Sequence, residues 1–149
     1  MHVHHDHMAA PAVSDLCLGG QVVLCAARSW RAGEDEHRPP PCTLFRCAGI
    51  GHEAFAAFIA LLGLLDASGS RAPSFRAVTD SALSQDEEGL IAALSALQEG
   101  APWRAQRVVA SWAAPSIAPR AVGLMAVAAR GLAEAGLFLY GPRQSHTLH

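Results

Sequence analysis

Apolar residues recur at helical spacing along most of this chain, and clusters of Gly, Pro and Ser cut the pattern into blocks. In residues 52 to 65, Phe55, Phe58, Ile59, Leu62 and Leu65 follow the i, i+3, i+4, i+7 rule, while mostly Ala, Leu and Gly fill the other faces. A helix apolar nearly all round must be central to a fold or must meet a partner. Asp66-Ala67-Ser68-Gly69 ends it. Upstream, Ser14-Asp15 predicts the cap of a helix through Leu16, Val22, Val23, Leu24 and Ala27 to Trp30, closed by Gly33, with Gly19-Gly20 weakening its first turn.

Between these blocks, Glu34-Asp35-Glu36-His37-Arg38-Pro39-Pro40-Pro41 combines a charge cluster with three prolines. Such a stretch predicts an extended, solvated connector. Residues 71 to 79 contain Pro73, Phe75 and Val78 and predict a short extended crossing that packs Phe75 onto the core. No alternation is long enough for a sheet.

Ser84-Gln85-Asp86-Glu87 is a capping-box signature, in which the Ser hydroxyl accepts the Glu87 amide and the Glu carboxylate reaches back to the Ser84 amide. Asp86, Glu87 and Glu88 face the positive end of the helix dipole, a structural reason for their clustering. Leu90, Ile91, Leu94 and Leu97 form the buried stripe, and Gly100 stops the helix. Pro102 then fits the first turn of a helix carrying Ala105, Val108, Val109 and Trp112, closed by Pro115. A last helix over residues 118 to 136 buries Val122, Met125, Ala129 and Leu132. The expected fold is all-α, an irregular bundle of about five amphipathic helices with a Pro-rich connector. Residues 1–13 read as a His-rich arm, 14–140 as a single helical domain and 141–149 as a tail.

Composition, charge and the length of the apolar runs exclude several classes. With 51% hydrophobic and 16% charged residues in 149, the chain can bury a core and does not read as disordered. A net charge of -2, with its Arg spread from Arg28 to Arg143, supplies no field for nucleic acid or an anionic membrane. No apolar run reaches the length of about 20 residues that a membrane span needs, and the start has no basic region leading an apolar stretch. A cytoplasmic location is expected.

Candidate chemistry is confined to His and Cys. His2, His4, His5 and His7 share the first eight residues with Asp6, and imidazole suits zinc, nickel or copper. His37, Cys42, Cys47 and His52 lie five residues apart, giving H-x4-C-x4-C-x4-H, a donor set suited to tetrahedral zinc. The four cysteines, Cys17, Cys25, Cys42 and Cys47, otherwise predict reduced, buried thiols. A Cys47 thiolate beside His52 is the one nucleophile pairing to consider.

Motifs for hydrolases, zinc proteases and nucleotide users are absent from the sequence. Leu83-Ser84 with Glu87, Leu90 and Ile91 is similar to the opening helix of a LuxR-type helix-turn-helix, but Pro102-Trp103 stands where the turn and recognition helix would begin. That family is therefore not assigned. The expectation is a non-catalytic interaction or regulatory protein that binds a protein partner or a second copy of itself, with metal binding as the alternative.

Overall fold

The computed structural model describes residues 11–35, 37–68 and 70–139, and it is all-α. Among the described residues six helices pack together: α1 Leu18–Ala32, α2 Pro41–Cys47, α3 His52–Ala67, α4 Gln85–Gln98, α5 Pro102–Ala110 and α6 Ala118–Glu134. Among the described residues no strand forms, and one isolated antiparallel bridge joins Ala12 to Ala82.

The Pro-rich connector is present, its described residues 34, 35 and 37–40 forming neither helix nor strand, but it gives way at Pro41 to a helix, α2, beyond the five expected. Pro41 sits in the first turn of α2, where its missing N–H costs nothing and its fixed φ suits a helix. The prolines therefore delimit a helix start, and only residues ahead of Pro41 remain irregular. The start of α1 also differs. Val13–Asp15 forms a separate 3-10 turn, in which the Asp15 carboxylate accepts the Ala12 amide, and Cys17 precedes α1 without a side-chain cap.

Gly19 and Gly20 weaken α1 by propensity but permit close packing. A Cβ on Gly19 would come within 2.8 Å of Leu139 Cδ2, so the absent side chain lets the C-terminal segment lie on α1. Gln98 holds that segment: its amide donates to the carbonyls of Ala129 and Leu137, and its oxygen accepts the Leu139 amide at 2.7 Å.

The core lies between α3 and its neighbours. Ala54, Ala57, Phe58, Leu61, Leu62 and Leu65 of α3 are buried, and Met125, Ala129 and Leu132 of α6 join them as expected, with Val122 half-buried. Gly131 and Ala54 bring these helices close together: a Cβ at 131 would overlap the Ala54 methyl. Phe45 of α2 stacks on Phe58 with ring centroids 5.2 Å apart, which ties the short helix to the centre. Gly100, at φ +79°, reverses the chain between α4 and α5. Phe75 packs half-buried against the core from the 70–84 crossing.

Candidate functional site

The most polar arrangement begins with the first turn of α4. The Ser84 hydroxyl accepts the Glu87 amide at 3.0 Å, and the Glu87 carboxylate accepts the Ser84 amide at 2.8 Å, completing the capping box. Glu87 also meets Arg28 of α1, Nε to Oε2 at 2.8 Å and Nη2 to Oε1 at 2.9 Å. Arg28 spends its other donors on the carbonyls of Ala77, Asp80 and Ala82. Beside them, Asp86 accepts both Nη groups of Arg71, the Ser74 amide and the Trp112 indole.

Burial alone would raise the Glu87 carboxyl, but the bonds from Arg28, Ser84 and Arg76 outweigh it and hold its pKa below the ordinary value. Asp86 is lowered likewise, burial being overcome by Arg71, Ser74 and Trp112. The Arg28 pKa is raised by its bond to Glu87, against burial. All five guanidinium N–H groups of Arg28 are used. The network therefore has no open donor for a substrate; it secures a crossing that lacks a backbone ladder of its own. Sequence reading explained Glu87 by its cap and missed Arg28. The available signal was that Arg28 follows Leu24 by four residues and so continues the buried row of α1.

A groove of about 550 Å³ opens between the end of α1 and the Pro-rich loop. Trp30, Pro39, Pro40 and Pro41 supply apolar walls, while Glu34 and Arg38 supply charge. Arg38 pairs with Asp35 at 2.6 Å and donates to the Gly33 carbonyl, leaving its buried Nε without a partner. Arg31 lies over the Trp30 ring at 6.0 Å and pairs with Asp66.

The Cys/His residues are distributed rather than gathered. Among the described residues, no group of three or more His, Cys, Asp and Glu is placed to hold a metal ion. Cys42 and His52 line one small cavity of about 180 Å³ with Phe45 and Arg46, whereas Cys47 does not. Helix geometry is the reason: five residues along α2 rotate Cys47 about 140° away from Cys42. His37 lies exposed in the loop, its amide bound to Asp35. His2, His4, His5 and His7 lie outside the described residues. The expectation of buried thiols is corrected as well, because Cys25, Cys42 and Cys47 are exposed, while the half-buried Cys17 donates to the Phe138 carbonyl.

A further surface involves α3. No polar side chain occurs from residue 54 to 65, yet Ala56 and Ala60 are exposed and Phe55, Ile59 and Leu64 only half-buried. No family model, curated protein or solved structure matches this chain.

Proposed function

We propose that this chain is a non-catalytic interaction protein, whose docking surface is the outer face of α3 and whose occupant is an apolar helix of a protein partner. The observation that carries the reading is the wholly apolar sequence of α3 across residues 54–65 on a helix that keeps part of its circumference in solvent. A surface helix ordinarily puts polar residues outward, and a continuous apolar face is the usual mark of a contact surface. Small Ala side chains at 56 and 60 let a second helix approach closely, and the absence of charge there selects an apolar ridge. The main charged network is fully committed to holding the fold, which fits a scaffold better than an acid-base site.

The experiment places a photocrosslinking residue at position 60 in the native host, with position 106 on exposed Gln106 as control. The crosslinked protein is identified, purified and titrated against the wild-type chain and Ala60→Glu. Specific crosslinking at 60, with binding to the purified partner weakened at least about tenfold in Ala60→Glu, supports the reading. Equal crosslinking at both positions, or binding indifferent to Ala60→Glu, overturns it. A second copy recovered as the partner would define a homodimer.

A further inference from the structure

We infer that the groove beside Trp30 is a separate binding site for an extended, proline-containing peptide segment that carries an Arg or Lys side chain. The inference is independent of α3. Its volume of about 550 Å³ lies in the range of sites that enclose ligands. One indole and three pyrrolidine rings line it, rigid apolar plates against which a polar ligand would lose its own hydration without compensating hydrogen bonds. Proline rings of a polyproline II segment match such plates, and that conformation is already populated before binding, so little ordering entropy is lost.

Charge fixes the second half of the specificity. Asp35 is neutralised by Arg38, and Arg31 by Asp66. Glu34 lines the groove and makes no ion pair among the described residues, so an incoming cation is the complementary group. The Trp30 indole adds an aromatic face beside it.

Arg38 supplies a further reason for a peptide. Its buried Nε–H has no acceptor, a state that ordinarily costs stability. A polyproline II segment makes no internal hydrogen bonds, so its carbonyls are free acceptors. A small movement of the guanidinium toward the groove would pair one with Nε.

The test titrates three synthetic decapeptides into the full chain and follows the tryptophan indole N–H signals by NMR. One repeats Pro-Pro-Arg, the second has Glu for each Arg, and the third has Ala for each Pro. The expected result is a shift of the Trp30 signal with the first peptide, an affinity at least about tenfold higher than for the other two, and weakening by salt. Trp30→Ala should abolish binding. Because that variant removes packing as well as a groove wall, Glu34→Arg provides the second arm: at this exposed position it should reverse the preference toward the acidic peptide with the fold intact. Failure of all three peptides to bind the wild-type chain would overturn the inference, as would a preference that Glu34→Arg leaves unchanged. A preference of the wild-type chain for the acidic peptide would also overturn it.

Discussion

Arg28 and Glu87 stand 59 positions apart in sequence and meet in two parallel bonds of 2.8 and 2.9 Å, with their side chains 2% and 0% exposed. The pair does more than neutralise two buried charges. Through Arg28 it gathers the carbonyls of residues 77, 80 and 82, and through Glu87 it gathers the amides of 76 and 84. Removing one partner of a buried pair costs about 3–5 kcal/mol, a large share of the 5–15 kcal/mol by which domains are stable. Arg28→Met should therefore lower stability by that order in urea unfolding. Arg28→Lys should recover little, because an ammonium has three donors where five are used. Recovery of most of the loss by Lys would show that charge alone matters.

The same carboxylates set an acid limb. Folding lowers the Glu87 pKa from 4.5 and the Asp86 pKa from 3.8, so the folded state binds protons less readily than the unfolded one. Their contribution is complete above the unfolded values and disappears as pH falls through the folded ones. The wild type should therefore lose stability steeply below about pH 4.5. Glu87→Gln, less stable at neutral pH, should show a shallower decline. Parallel pH profiles from urea midpoints would contradict this account.

Two glycines of α6 should respond oppositely to the same substitution. Gly131→Ala forces a methyl into the Ala54 methyl and should destabilise by about 1–3 kcal/mol. Nothing lies within 4 Å of a Cβ on Gly123, so Gly123→Ala should stabilise by up to about 1 kcal/mol through helix propensity. Thermal melts of the two variants decide the matter, and equal signs would refute the close α3–α6 approach.

Thiol labelling should separate the cysteines. Under native conditions Cys25, Cys42 and Cys47 should react rapidly with a small alkylating reagent, and Cys17, half-buried against Phe138, more slowly. Peptide mapping after a short pulse measures the order. A fast Cys17 would place the segment ending at Leu139 away from α1.

The helices on strong periodic stripes were readable from sequence because core burial and capping chemistry agree there, as Ser84, Glu87, Leu90 and Leu94 illustrate. Pro41 misled because proline breaks a helix interior but favours its first turn, and the two cases share one local composition. Gly19 looked like a propensity defect; its purpose lies in Leu139, 120 residues away. The groove was equally hidden, since Trp30 and Pro39 come together only when α2 turns back against α1. For the equally spaced Cys/His run, even spacing did not gather all four side chains: Cys42 and His52 share a cavity, while Cys47 is rotated away along α2 because a helical turn is not five residues long.

The bond from Cys17 to the Phe138 carbonyl spans 3.3 Å, so the two limits of the helical core lie side by side. Neighbouring ends of this kind are what circular permutation requires: a short linker can join them and a new opening can be made elsewhere in the chain. The order in which the helices are strung along the polypeptide is thereby separable from the arrangement in which they pack.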